Sequence, residues 1–261
     1  MDIKYLQHKL PIIEIFLSSL TLPVKHFRNL MRFGFFFIIL NSIYVYASYY
    51  KSTWPTSGGW ALLISALHVV YLFAIVLVVV RCHRLFLMDK ADVKKTSVYS
   101  WTYRETRFIV WWIVNTICIS IIALPLLLVM PVFTHSFFSF NVPQFVFHFV
   151  SILLWTPFAY ILARWTLILP ATAIDKVNLS FGWAWHISMG NGLRLTILIG
   201  ILPIFTNSFF QFLPGSESLL YTFMVNTVWL IVCVIEIGLL SLSYANLKEN
   251  EVTYARVADR E

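Results

Sequence analysis

Apolar residues in this chain do not alternate with polar ones, nor do they recur every third or fourth position; they come in long unbroken runs. Six runs stand out: Phe33 to Tyr50, Trp60 to Val80, Phe108 to Phe133, Phe145 to Leu169, Leu195 to Phe212 and Leu219 to Leu242. A bilayer core about 30 Å thick needs roughly 20 such residues as a helix, and each backbone amide inside it must find its partner within that helix. The pattern therefore predicts an all-α, polytopic bundle of six transmembrane helices. Arg164 and Glu236 are the formal charges inside these runs, as expected where each buried charge costs a few kcal/mol. The fifth run is short and carries Pro203, Asn207 and Gln211, so it reads as a kinked or a partly re-entrant span.

The polar stretches divide the chain further. Residues 1–32 form an amphipathic segment, 33–244 the bundle and 245–261 a polar tail. In the first segment Ile12, Ile13, Phe16, Leu17 and Leu20 share a helical stripe until Pro23 interrupts, which predicts a helix lying on a membrane surface. Pro170 is expected to stop the fourth span at Leu169. Beyond it, Ser180 is placed to cap a short interfacial helix ending near Gly190, and Gly190 and Gly192 allow a sharp return into the fifth span.

Charge gives this architecture a direction. Lys4, Lys9, Lys25, Arg28 and Arg32 precede the first span, and Arg81, Arg84, Lys90, Lys94, Lys95, Arg104 and Arg107 fill the second connection. Lys176 and Arg194, then Lys248, Arg256 and Arg260, fall on the same side, whereas the opposite side holds Lys51. The positive-inside rule then predicts both termini in the cytoplasm, and places Thr134 and Glu217 outside. A cleavable leader is discounted, because its basic region would be far longer than usual. The formal net charge of +7 is thus a topology signal, and no motif of nucleic-acid recognition accompanies it. Charged residues make up 12% of the chain and mean hydropathy is +0.79, too apolar for a soluble domain. Cys82, Cys118 and Cys233 lie in or beside apolar runs without short-range pairing, and read as packing residues.

Seen from the basic side, one order of elements recurs three times, beginning near Pro11, Thr96 and Ser180: a cytoplasmic stretch, a boundary basic residue, an outward span, a short loop and a return span. Trp101 with Arg104 and Arg107 matches Trp185 with Ser188, Gly190 and Arg194, and Arg84-Leu85-Phe86-Leu87 echoes Arg164-Trp165-Thr166-Leu167. Such a threefold unit is either a repeat like those of transporters or a duplication that enlarged a bundle.

Arg81-Cys82-His83-Arg84-Leu85-Phe86-Leu87 and the stretch from Arg164 to Ala173, followed by Ala184-Trp185, Gly190-Asn191-Gly192 and Arg194, resemble an uncharacterised family of bacterial six-span inner-membrane proteins. That family is in turn similar to the membrane domain of some glycerophosphodiester phosphodiesterases. The resemblance runs from about Trp60 onward and departs at Cys82, where an apolar or aromatic residue is usual. It implies a multi-pass inner-membrane location and supplies no reaction.

Nothing in the chain spells a catalytic centre. The zincin, serine-hydrolase and P-loop signatures are missing, so no catalytic residue, metal ligand or cofactor is assigned. His68 and His148, inside spans, read as hydrogen-bonded packing residues, and His135 falls in an outer loop. His83, Arg84, Arg164 and Arg194 are the candidates for contact with lipid headgroups or for structural polar roles. Arg164 and Glu236 sit at matching depth, roughly 8 to 9 Å inside their boundary; they either pair, or Arg164 snorkels while Glu236 occupies a polar cavity. The expected function is non-enzymatic association with anionic lipid or with a protein partner. The alternative is a transporter of small solutes or lipid, in which Arg164, Glu236, Asn115, His148 and Asn226 would converge on a midplane cavity.

Overall fold

A computed structural model describes residues 9–50, 58–89, 100–139, 143–211 and 218–258. Lys4, Lys51, Lys90, Lys94, Lys95, Glu217 and Arg260 lie outside the described residues, as do the side chains of Thr134, His135, His148 and Arg256. The described chain is all-helical. In order it forms α1 (Ile12–Lys25), α2 (Phe27–Tyr49), α3 (Gly58–Leu87), α4 (Tyr103–Ser139), α5 (Gln144–Trp165), α6 (Ile168–Ala173), α7 (Phe181–Ile187) and α8 (Gly192–Leu195). A π-helical turn (Thr196–Ile201) then leads into α9 (Leu202–Gln211), and α10 (Leu219–Ala258) closes the fold. Six helical stretches are long and apolar enough to cross a membrane. The chain is a multi-pass membrane protein on that ground.

Several boundaries differ from the sequence expectation, each for a physical reason. The second span does not end at Val80: α3 runs on to Leu87 and carries Arg81, His83 and Arg84 as helical residues. They remain inside the fold because each finds partners there. Pro170 does not stop the fourth span either. The break comes earlier, at Thr166 and Leu167, and Pro170 sits in the first turn of α6, where its missing N–H costs nothing. The fifth span is helical throughout, with a π-helical turn inside it. Gly192–Phe210 forms one 19-residue stretch, and the π turn just before Pro203 accommodates the ring that would otherwise press on the preceding turn. Helix α10 continues through the polar tail to Ala258.

The first segment is helical as expected, but its two faces are both apolar. Ile15, Ser19 and Leu22 are buried against α10, while Ile13, Leu17, Leu20 and Val24 are exposed. Gly238 of α10 makes the close approach possible: a Cβ there would stand 2.6 Å from Leu22 Cδ1. Packing is concentrated at the end of the bundle where α3 and α5 finish and α4 begins, called the basic end below. There Leu10, Ile15, Ala163, Leu167, Ala171, Ile187, Leu195, Leu198, Leu239, Tyr244 and Leu247 form the largest buried cluster. Val76, Val80, Phe108, Leu169 and Ala173 form a second beside it. Farther along, α2 and α3 are joined by an aromatic ladder in which Phe37 stacks on Tyr71, Tyr71 on Tyr44, and Tyr44 meets His68.

Candidate functional site

Four arginines and two carboxylates meet at the basic end. The anchor is the start of α4, where Thr102 precedes the helix and Glu105 lies three residues on. The Thr102 backbone N–H donates to Glu105 Oε2 at 2.8 Å, the Thr102 hydroxyl donates to the same oxygen, and Glu105 N–H returns to Thr102 O at 3.1 Å. This is the glutamate half of a capping box, and it leaves Glu105 Oε1 for cations. Arg104 Nη2 approaches that oxygen at 3.1 Å and Arg81 Nη2 at 3.8 Å. Glu105 is fully buried, so its two cations are held where water screens them little.

Asp175 supplies the second carboxylate from an unusual backbone position. Its φ is 66°, and its N–H bonds Thr172 O while Lys176 N–H bonds Ala171 O, a Schellman ending for α6 with Asp in the place usually held by Gly. That turn aims the carboxylate at Arg84 Nη1, 2.9 Å away, and Arg104 Nη1, 3.1 Å away. Arg84 Nη1 also donates to Ala173 O at 3.0 Å, and Arg107 Nη2 to Lys176 O at 2.8 Å. Three helices are thereby tied at one end by guanidinium groups. Arg81 is the least satisfied member: Nη2 donates to Ser100 O at 3.0 Å, while Nε and Nη1 are buried without an acceptor. An unmade hydrogen bond of this kind costs about 1–3 kcal/mol.

Arg164 is held differently. Nε donates to Ser188 Oγ at 2.7 Å, Nη2 to Trp185 O at 2.7 Å and Nη1 to the Tyr160 hydroxyl at 3.0 Å. Its guanidinium carbon lies 3.6 Å from the Trp185 ring centroid and 5.4 Å from that of Tyr160. Neutral acceptors and ring faces take the place of a counter-ion here, an arrangement worth up to about 2 kcal/mol in a desolvated setting. Next to it, Arg194 Nη1 donates to Leu10 O at 2.6 Å and Leu10 N–H donates to Asn191 Oδ1 at 2.9 Å. The start of α1 is thus stitched to the turn before the fifth span. Ser180 caps α7 as expected, accepting from Trp183 N–H at 3.0 Å.

Of the alternatives for Arg164 and Glu236, a direct pair is not formed. Glu236 Oε1 instead accepts from the Thr206 hydroxyl at 3.0 Å, and no ion pair joins the two charges among the described residues. Helix rise says nothing about azimuth, and the two side chains leave their helices toward different neighbours. His83 is 1% exposed, with Nδ1 2.8 Å from Ser241 Oγ. Ser241 directs its single proton to Ile237 O at 2.8 Å, so His83 Nδ1–H is the donor of that pair. Among the described residues no three His, Cys, Asp or Glu side chains gather as a metal site. No family model, curated protein or solved structure matches the chain.

All four polar residues nominated from sequence thus serve contacts within the chain. The structure adds Glu105 and Asp175, which organise the cluster. The first had a readable signal in Thr102-x-x-Glu105 ahead of an apolar run. The second had none, since a left-handed Asp is not marked by its neighbours in sequence.

Proposed function

We propose that this chain is a multi-pass protein of a bacterial inner membrane, with both termini in the cytoplasm, that associates without catalysis with anionic lipid headgroups at its basic end. The carrying observation is the surface where α1 meets α2. Ile13, Leu17, Leu20 and Val24 make an exposed apolar stripe along α1, and Lys25, Arg28 and Arg32 follow it as exposed cations. Apolar side chains in the acyl boundary beside cations at phosphate level are how interfacial helices hold an anionic leaflet. The cytoplasmic sidedness rests on the distribution of basic residues, and the bacterial inner membrane on the resemblance of the motifs around Arg84 and Arg164. The threefold unit belongs to the same reading, supported by Arg84 and Arg164 each donating to a backbone carbonyl beyond the end of its helix.

The transporter alternative has less support, because Arg164 and Glu236 take separate partners and the crevice between α2 and α3 contains neither. The test is binding of the purified protein to nanodiscs of anionic and of zwitterionic lipid across a salt series. Preference for the anionic discs that weakens as salt rises is the expected result. Equal binding to both would overturn the reading.

A further inference from the structure

Separately from any contact with lipid, we infer that α9 is a hinged half of the fifth span, latched to α10 by Glu236 and able to swing about the joint between Gly200 and Pro203. The two halves of this span are held differently. Nearer the basic end Leu195, Thr196, Leu198 and Gly200 are buried, and Leu10 is stitched to the turn that precedes them. Gly200 lies so close to α5 that a Cβ there would stand 2.9 Å from Ala159 Cβ. Beyond the joint no residue from Leu202 to Phe210 is buried, and Phe205, Asn207 and Phe209 are exposed. Packing fixes the first half and leaves the second to other ties.

The backbone is weakest where the halves meet. Leu202 N–H bonds Ile197 O, five residues back, and the next residue, Pro203, has no N–H to donate, so the hydrogen-bond ladder is short by one at the joint. A π turn and a proline are both features at which helices bend. Among the described residues two side-chain hydrogen bonds tie α9 to another helix, and both go to α10. Trp229 Nε1 donates to Asn207 Oδ1 at 3.4 Å, and the Thr206 hydroxyl to Glu236 Oε1 at 3.0 Å. The first is long, which makes the second the latch. Thr206 Oγ also stands 3.0 Å from Pro203 O, and a hydroxyl has one proton for the two acceptors. Release from Glu236 therefore leaves that proton an acceptor within α9. Asn226, Trp229, Cys233 and Glu236 follow at intervals of three and four, a single polar stripe along α10, and α9 meets it at Trp229 and Glu236. A swing of α9 thus controls access to a carboxylate inside the spans, the kind of group at which protons and ions act.

The experiment is hydrogen–deuterium exchange of the full-length protein in lipid nanodiscs, read by mass spectrometry, together with the rate at which the carboxyl reagent dicyclohexylcarbodiimide modifies Glu236. In the unaltered protein the amides of residues 204–210 are expected to exchange faster than those of residues 192–199. Thr206→Val removes the latch and should speed exchange in 204–210 about tenfold, the low end of what a hydrogen bond to a charged group is worth, with 192–199 unchanged. Thr206→Ser keeps the hydroxyl and should behave as the parent. Pro203→Ala restores the missing amide and should slow both the exchange of α9 and the modification of Glu236. Equal exchange in the two halves of the unaltered protein, or Thr206→Val accelerating both halves alike, overturns the hinge. No acceleration in Thr206→Val overturns the latch, and Glu236 modified as fast in Pro203→Ala as in the parent overturns the control of its access.

Discussion

Arg164 is a buried cation that works without a carboxylate, and its geometry leaves little room for substitution. Lysine would keep the charge but could not reach Ser188 Oγ, Trp185 O and the Tyr160 hydroxyl together, and its compact ammonium stacks less well on Trp185. Arg164→Lys is expected to cost about 2–3 kcal/mol, close to that of a charged hydrogen-bonding group left short of its partners. Thermal unfolding in detergent measures it, and a loss as small as that of an exposed Lys248→Gln change would contradict the account. Gly192 presents the opposite problem, one of space. A Cβ there would meet the Tyr160 ring at 2.6–2.9 Å, so Gly192→Ala has to push away the ring whose hydroxyl steadies Arg164. Overpacking typically costs about 1–3 kcal/mol, and Gly192→Ala should therefore destabilise the protein although alanine is the better helix former. A stabilised Gly192→Ala protein would mean that Tyr160 moves freely. The importance of Arg164 was legible in the sequence because a charge inside an apolar run is rare. Its partners were not, since they depend on the turn at residues 188–191 that folds Ser188 and Trp185 back over it.

Among the elements, α4 shows how a local signal becomes a tertiary joint. Glu105 accepts from the Thr102 amide and hydroxyl ahead of the helix, and the same carboxylate faces Arg81 and Arg104. Removing the cap and removing the charge therefore have different consequences. Thr102→Ala should cost about 1.5–3 kcal/mol, the loss of one hydrogen bond donated to a charged group. Glu105→Gln keeps an acceptor for the Thr102 amide but leaves the buried Arg81 without a carboxylate, while Arg104 keeps Asp175; breaking a buried pair on one side costs about 3–5 kcal/mol. Chemical denaturation of the two variants in the same detergent would order them; Thr102→Ala proving the more damaging would show that the box, not the ion pairs, holds this end. Six spans and the amphipathic first helix could be read from runs of apolar residues because length alone decides what crosses a bilayer. Element ends were less legible. Arg81 and Arg84 looked like loop residues by charge, yet Glu105, Asp175 and backbone carbonyls let the helix carry them. Pro170 looked like a stop, yet the chain had already broken at Thr166.

For the molecule as a whole, the distribution of packing explains why the two charges inside the apolar runs are independent. Arg164 belongs to the tightly packed basic end, among the buried side chains of Ala163, Leu167 and Ile187. Glu236 faces Thr206 on α9, where side chains are only partly buried. A sequence cannot say which neighbour each helix turns toward, so a pair stayed open beside snorkelling until the arrangement of helices removed it. The consequence is measurable as a double-mutant cycle of Arg164→Gln and Glu236→Gln. Arg164→Gln should be the larger loss, since a neutral amide cannot make the three donations and the ring contact at once. Glu236→Gln should be mild, because a glutamine oxygen still accepts from the Thr206 hydroxyl and the helix loses only a charge that has no cationic partner among the described residues. Sites without shared partners add within about 0.5 kcal/mol, and the double variant should fall at the sum of the two. A coupling clearly above that, with the double variant more stable than the sum predicts, would require the charges to sense each other through an arrangement in which α5 and α10 bring them together. It would restore the shared polar cavity that a transporter needs.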